Sequence, residues 1–545
     1  FGFFNFRPKQ LEIIRSIMDG HDTIGLLPTG GGKSITFQIP ALALHGLCLV
    51  VSPLIALMED QIRHANQLGI KATTIHSALP YEEVHARLTD CTKGFYKLLY
   101  VSPERLQTSY FLSLLSSLKV SFLVVDEAHC ISHWGYDFRP SYLKIATIRL
   151  ALPHVPIMAL TATAPTTIVE DIKQKLKLVK PHVFRASFVR PNLTFVVRQV
   201  NYPLRELFHI LKNVAGSTII YTRSRRNTTD LCQALNDQAI SALSYHAGLE
   251  AEERSRRQKV WTSNQVRVMV ATNAFGMGID KSDVRMVIHF ELPPSLEDYY
   301  QEAGRAGRDG KKAYAVLLHT PSDAELLLTK VKREFPPIKE IEYTYRTLLA
   351  FLNVNSIKDN HPVYAFKLAD FCASSALSVH DTHYALKLLH HAEWLVYIEE
   401  ENGLSKVIFN HPLKNKASFP KAVYQYWKTK KMTLANKVIA YAENKKVCRA
   451  SFLLTYLEEE NLSDCGVCDL CLSHLKKTKT TTEYSLEEIR NALLIELRQS
   501  SRSLTYLIEN LPFPKKQIIN TLRILSEQDP SIHIKGDTIA LQIES

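Results

Sequence analysis

Short apolar runs rich in β-branched residues recur through the first 320 positions. Each is bounded by polar or turn-forming residues and followed by a stretch with helical spacing. Between residues 22 and 164 the runs are DTIGLL, LCLVVS, KATTIHS, KLLYVS, FLVVDE and IMALTA. Such runs are apolar throughout instead of alternating, as strands covered on both faces are, so they predict a parallel sheet between two layers of helix. Between 183 and 320 the style repeats with STIIYT, ISALSYH, VRVMVAT, VRMVIHF and YAVLLH, separated by helical segments such as RRNTTDLCQALNDQ. The pattern predicts two α/β domains in tandem, 1–182 and 183–330. Ligands of such sheets bind beyond the carboxyl ends of the strands, so a ligand shared by both domains belongs in the cleft between them.

After about residue 330 the pattern changes. FKLADFC and SVHDTHYALKLLHHAEW read as two helices of a helix-turn-helix, and WLVYIEEENGLSKVIF as a hairpin turning at Asn402-Gly403. Together they predict a winged helix over 331–412. A second copy is expected over 481–545, with helices LTYLIENLP and KKQIINTLRILSEQ and a hairpin around Gly536-Asp537. Each copy suits DNA contact or a protein interface.

Composition adds partners to this outline. A hydrophobic share of 46% and a charged share of 22% fit a soluble globular chain, and no apolar run is long enough to span a membrane. The amino end, FGFFNFRPKQ, lacks a signal-peptide layout; opening on Phe1 instead of Met, it reads as a chain whose upstream piece is absent from the sequence. The net charge is +12, and residues 410–480 hold 13 Lys/Arg against 6 Asp/Glu. A basic excess gathered in one segment suits a polyanion, the alternative being a solvated lysine-rich surface. The polar stretch HPLKNKASFPK is short for its place and is expected to conceal missing residues.

Three stretches carry candidate chemistry. Leu27 to Ser34, LPTGGGKS, follows a predicted strand and opens a predicted helix. Its glycines would let backbone N–H groups close around phosphate oxygens, with Lys33 reaching the terminal phosphates and Ser34 holding Mg²⁺, although the strict pattern has glycine where Leu27 stands. Asp126 and Glu127 end another apolar strand, where a metal partner and a water-orienting base are needed. In QEAGRAGRDG, Arg305 and Arg308 share one helical face and could be presented to a transferring phosphate; the alternative is a surface helix with a glycine cap.

Nine cysteines, five of them scattered in apolar contexts, argue against a disulfide framework. The other four, Cys448, Cys465, Cys468 and Cys471, are spaced C-x16-C-x2-C-x2-C. That spacing predicts one structural Zn²⁺ within a module over 413–480, with an iron–sulfur cluster as the rival. Trp134, Tyr136, Phe138 and Arg139 follow the paired carboxylates closely, with Gly135, Asp137 and Pro140 among them. The small and turn residues favour an exposed loop suited to stacking on bases over a buried set of rings.

In order along the chain, LPTGGGKS, VVSPLIALMEDQ, YVSPERL, VVDEAH, ALTATA, YTRSR, YHAGL, ATNAFGMGIDK and QEAGRAGRDG resemble the motifs of the RecQ family of superfamily 2 helicases. The likeness runs from about residue 1 to 320 and resumes at the cysteine module. It implies two RecA-like motor domains followed by winged-helix and zinc-binding helical modules. It implies ATP and Mg²⁺ as cofactors with one structural Zn²⁺. By the same likeness FGFFNFRPKQ is similar to the family's adenine-reading motif, in which Phe3 stacks on the base while Arg7 and Gln10 bond to it. Thr29, Gly30, Gly31, Gly32, Lys33, Ser34, Gly278 and Asp280 fall in nucleotide-binding motifs. Lys33, Asp126, Glu127, Arg305 and Arg308 fall at catalytic positions, with Ser34 and Asp126 toward the metal. CISHWGYDFRPSY is similar to the family's aromatic-rich loop, which senses single-stranded DNA and gates hydrolysis, through His129, His133, Trp134, Phe138 and Arg139.

The activity so implied is ATP-dependent 3′ to 5′ movement on single-stranded DNA, with unwinding of duplex and branched DNA in recombination and repair. A monomer is expected, in a bacterial cytoplasm at the nucleoid or alternatively in a nucleus, with a single-strand-binding protein and repair factors as partners. An RNA helicase and a non-unwinding ATP-gated clamp are the competing functions. One feature departs from the family: some 120 residues, including the first winged-helix candidate, separate the motor from the first of the four cysteines.

Overall fold

The computed structural model describes residues 5–53, 55–76, 79–132, 140–162, 165–276, 281–354, 362–399, 404–410, 413, 417–460, 462–480 and 484–542. The chain divides into two compact units, Phe1–Cys468 and Asp469–Ser545.

The first unit contains both predicted sheets. Sheet one comprises β1 (Thr23–Leu26), β2 (Leu47–Val51), β3 (Ala72–Ile75), β4 (Leu98–Val101), β5 (Val120–Val125), β6 (Ile157–Thr161) and β7 (His182–Arg185). Its strands lie in the order β3-β4-β2-β5-β6-β1-β7, and every pairing is parallel. Side chains of successive strand residues point to opposite faces. Cys48, Val50, Leu98, Tyr100, Phe122, Val124, Met158 and Leu160 therefore share one core with Ile13, Ile17, Phe37 and Ala41 of two covering helices. Leu49, Leu99, Leu123 and Val125 pack on the other face with Val84, Leu88 and Phe111. Each such side chain contributes roughly 1.5–3 kcal/mol through burial, which explains why these strands carry no polar alternation.

Sheet two comprises β8 (Leu193–Gln199), β9 (Ser217–Tyr221), β10 (Ala242–Tyr245), β11 (Val268–Ala271), β12 (Val284–His289) and β13 (Ala313–His319). Its order is β10-β11-β9-β12-β13-β8, and it too is wholly parallel. The chain is thus α/β, with two RecA-like sheets in tandem. The strands not anticipated are β7 and β8. The pairing of β7 with β1 extends the first sheet to Arg185, so the expected division after residue 182 falls inside that strand.

Beyond the second sheet, strands Tyr364–Lys367, Leu395–Glu399 and Leu404–Phe409 form an antiparallel sheet with helices Leu368–Ser375 and Val379–His391, a winged helix. Its turn residues Asn402 and Gly403 lie outside the described residues. Helices Lys421–Glu443 and Arg449–Tyr456 follow and carry the chain to the cysteines.

The second unit contains helices Leu486–Gln499, Leu504–Asn510 and Lys515–Gln528 and the antiparallel hairpin Ile532–Lys535 with Thr538–Leu541. Gly536 takes φ +64 at the hairpin turn, a conformation that glycine adopts freely. Leu493, Leu507, Ile518, Leu522 and Ile539 are central to its core, and a Ser485–Glu488 capping box starts the first helix.

Candidate active site and cysteine cluster

The carboxyl ends of β1 and β5 are separated across the sheet by β6 alone, a span of about 10 Å. The first ends in LPTGGGKS and the second in Asp126-Glu127. Gly30 and Gly32 both take φ +77, the left-handed region, before the helix Lys33–Ala43 begins. A Cβ on Gly31 would stand 2.7 Å from the Pro28 carbonyl, and one on Gly30 would stand 3.2 Å from Arg308 Cγ. The glycines therefore let the loop turn tightly and let Arg308 of the second sheet approach its backbone.

Lys33 Nζ donates to Glu127 Oε1 at 2.8 Å and lies 3.9 Å from Asp126 Oδ1. Burial works against the Lys33 ammonium, but Glu127 and Asp126 outweigh it and hold its pKa above the ordinary value. Burial also opposes the Glu127 carboxylate, yet Lys33 and then His129 bring it below the usual range. Asp126 is pushed up to about 6, by burial first, the neighbouring Glu127 charge adding to it. Glu127 has φ +46, an uncommon conformation for a residue with a side chain and one that gathers at functional sites. Its Oε2 is buried and accepts no hydrogen bond among the described residues, with His129 Nδ1 3.4 Å away. The fully buried His129 also meets Thr161 Oγ1 at 2.9 Å, joining the carboxylates to the end of β6.

Arg305 and Arg308 enter the same cleft from the second sheet's side, but from turns after the helix Leu296–Ala303 has ended at Gly304, not from one helical face as expected. The cleft encloses about 1200 Å³, and its lining includes Arg7, Lys33, Glu127, Arg190, Arg305 and Arg308. Gln10, Thr29, Gly30, Gly31, Gly32, Ser34 and Asp126 line it as well. Arg305 is buried and donates to the Gly276 carbonyl, while its Nε has no acceptor among the described residues. Behind it, Glu302 accepts from the buried His289 at 2.7 Å and from Arg223 at 3.4 Å, fixing the helix Leu296–Ala303 that leads to both arginines.

Arg7 donates to the Gly30 carbonyl, and Gln10 Nε2 donates to those of Gly31 at 2.9 Å and Gly32 at 3.1 Å. Both therefore brace the glycine loop at the cleft's rim. Phe3, His133, Trp134, Phe138, Arg139, Gly278 and Asp280 lie outside the described residues.

Sequence reasoning missed Arg190. Its Nη1 donates to the carbonyls of Thr29 and Gly304, both at 3.1 Å, and its Nη2 to those of Ala306 at 2.9 Å and Gly307 at 3.2 Å. One guanidinium thus stitches the phosphate-type loop of the first sheet to the arginine segment of the second. Its partners are main-chain atoms, which leave no side-chain signature; the only sign in the sequence is an arginine before Pro191, between the predicted domains.

The ligand atoms of Cys448, Cys465, Cys468 and Cys471 all lie within 4.8 Å of one another. The Cys448 and Cys468 sulfurs are 3.9 Å apart. A tetrahedral Zn²⁺ with sulfurs at about 2.3 Å spaces them by about 3.8 Å, so the set fits one structural zinc. Backbone N–H groups of Cys465 and Cys468 donate to Cys448 Sγ and Cys465 Sγ, both at 3.3 Å, as thiolate ligands require. Cys48, Cys91, Cys130, Cys232 and Cys372 are buried and unbridged.

The chain matches the DEAD/DEAH box helicase family over residues 7–172, the helicase conserved C-terminal domain over 202–310 and the RecQ zinc-binding family over 419–472. It is 45% identical over 345 residues to the ATP-dependent DNA helicase RecQ of Pasteurella multocida, an alignment covering 63% of this chain and 54% of that protein. It is 41% identical over 353 residues to the probable ATP-dependent DNA helicase RecS of Bacillus subtilis, covering 64% of this chain and 71% of the relative. The chain thus spans about half the length of the Pasteurella relative and a larger share of the Bacillus one. Among solved structures, Mss116p bound to ssRNA and AMP-PNP superposes with a TM-score of 0.50 at 16% identity, covering 71% of this chain and 86% of that one, a likeness of fold. Among the described residues no helix is long and apolar enough to cross a membrane. Nine motifs in order, the paired sheets, the four-cysteine cluster and these relatives together make the chain a member of the RecQ family of helicases.

Proposed function

We propose that the chain is an ATP-dependent DNA helicase that moves 3′ to 5′ on single-stranded DNA and unwinds duplex and branched DNA. The observation that carries this reading is Lys33, bonded to Glu127 at 2.8 Å beside a glycine loop that Arg308 approaches from the other sheet. In this role Thr29 to Gly32 cradle the phosphates, Lys33 neutralises them and Ser34 and Asp126 face Mg²⁺. Bound Mg²⁺ would supply a divalent charge that offsets that of the phosphates. Asp126, whose burial resists its ionisation, gains most from that charge.

Glu127 Oε2, which accepts no hydrogen bond among the described residues and has His129 3.4 Å away, is suited to accept a proton from the attacking water, and Arg305 Nε, without an acceptor among them, to donate to a phosphate oxygen. Arg7 and Gln10 lie at the rim, where Phe3, Arg7 and Gln10 would hold the base. His129 would relay contact between DNA and Glu127 from the aromatic-rich stretch His133, Trp134, Phe138 and Arg139, with Gly278 and Asp280 completing the second domain's part. Domain limits of 1–182, 183–330, 331–412, 413–480 and 481–545 belong to the same reading, with the first limit moved to follow β7. So do a monomeric state, a nucleoid setting and work beside a single-strand-binding protein.

Unwinding assays on matched DNA and RNA duplexes, with Lys33→Ala as control, test the proposal. Strand separation of the DNA substrate that needs ATP and is lost in the variant supports it. Separation of RNA alone, or of either substrate by the variant, contradicts it.

A further inference from the structure

The chain passes from β7 to β8 through Ala186–Asn192. Arg190 grips the cleft from this linker. On the linker's other side lies Tyr456 to Glu459, the end of the helix Arg449–Tyr456 and the start of an acidic run that composition alone would assign to a solvated helix end, between Cys448 and Cys465.

Glu459 accepts from the Phe188 N–H at 2.9 Å and from the Ser187 hydroxyl. Glu458 accepts from the Thr166 N–H at 2.8 Å and from Thr166 Oγ1 at 2.6 Å. Arg185 donates to the Leu457 carbonyl at 3.3 Å. Tyr456 donates to Glu297 at 2.6 Å. Four consecutive residues therefore hold the first sheet's covering layer, the linker and the helix Leu296–Ala303 of the second sheet together.

Two further observations mark this as a built contact. Thr166 opens the helix Thr166–Lys175, whose N-cap, Pro165, has no side chain that can cap it. Glu458 supplies the missing acceptor from another module, at a helix end that favours negative charge. Glu458 itself has φ +62, where a helix end usually places glycine. A glutamate in that strained position keeps a carboxylate where glycine would leave none. The helix it caps follows β6, whose Thr161 meets His129 behind Glu127.

We infer that Tyr456–Glu459 is a strap whose glutamates act as positioning residues for ATP hydrolysis. The strap fixes the linker and the two sheets so that Arg190, Arg305 and Arg308 stay opposite the glycine loop. Thr166 and Ser187 are exposed, so water can replace these bonds and the grip can release when the sheets turn. The inference rests on the ATP-hydrolysing reading above.

The test compares the full chain with the Glu458→Ala/Glu459→Ala and Glu458→Gln/Glu459→Gln double variants. Turnover is measured with single-stranded DNA over a range of ATP, and amide hydrogen exchange is followed in peptides covering Thr166–Val169 and Ser187–Val189. The alanine pair is expected to lower kcat by at least about fivefold with KM for ATP held within about twofold. Its exchange in both peptides is expected to speed up about tenfold. The glutamine pair, whose amide oxygens still accept from both N–H groups, restores at least about half of kcat. Unchanged kcat in the alanine pair, a loss that appears only in KM, or no recovery in the glutamine pair overturns the strap while leaving the helicase reading intact. If the parent chain hydrolyses no ATP, that reading fails first; unchanged exchange then removes the strap as well.

Discussion

The cysteine cluster draws its four thiols from 24 residues, whereas the cleft gathers side chains from Arg7 to Arg308 on two separate sheets. Short loops and the starts of two helices, Arg449–Tyr456 and Asp469–Thr480, bring the thiols together. The cleft depends on the mutual placement of two sheets, and a single guanidinium, Arg190, joins their rims through four carbonyls. A cluster of the first kind has one arrangement and suits structure. A site of the second kind can be made and unmade by moving one sheet against the other, as a motor that couples hydrolysis to movement requires.

The largest effect is expected where the contacts are most local. Cys468→Ser removes one of four ligands to a metal whose binding in small modules is worth roughly 10–16 kcal/mol of apparent folding energy. The variant should carry no zinc by elemental analysis and should melt well below the parent; iron in place of zinc in the parent would overturn the structural assignment. Next, Arg308→Ala should lower kcat about 10³-fold, because an arginine facing the transferring phosphate acts mainly in the transition state. Steady-state kinetics would show this with folding and zinc content unchanged.

Arg190→Ala should cost about 10–100-fold in kcat, since bonds from a charged donor are worth about 1.5–3 kcal/mol each where they are made. Arg190→Lys should not rescue it, because an ammonium cannot span four carbonyls on two edges. Full turnover in either variant would mean that the sheets need no such tie.

The smallest expected effect is a dependence on pH. Asp298, on the helix Leu296–Ala303, is pushed up to about 7 by burial, with Glu302 adding to it. A carboxyl whose folded pKa lies above its unfolded value contributes stability that is fully present below about 4 and is lost as pH rises through 7. Asp298→Asn should therefore match the parent at low pH and become the more stable protein at pH 8, by thermal melting. An advantage confined to low pH would reverse the sign and refute the assignment.

The same contrast explains what could be read from the sequence. The four cysteines, the glycine loop, Asp126-Glu127 and the paired arginines are short patterns whose residue types and spacing already imply their chemistry. The central strands were legible because burial on both faces left them apolar throughout. The edge strand β7 was not, since His182 and Val183 are exposed and its run looks mixed. Arg190 escaped because it bonds only to main chain far away in sequence. Glu458 and Glu459 escaped because an acidic run after a helix looks solvated until its donors on Thr166 and Phe188 are seen. The positive φ of Glu127 has no sequence signal at all, glutamate being an ordinary residue in an unusual conformation.

In the proposed function, nucleic acid on the two motor domains and ATP in the cleft between them act on one another. ATP turnover of the full chain, measured with and without single-stranded DNA, tests it most directly. Slow turnover alone and a rise of at least about tenfold with DNA are expected. Turnover indifferent to DNA that the chain demonstrably binds would contradict it.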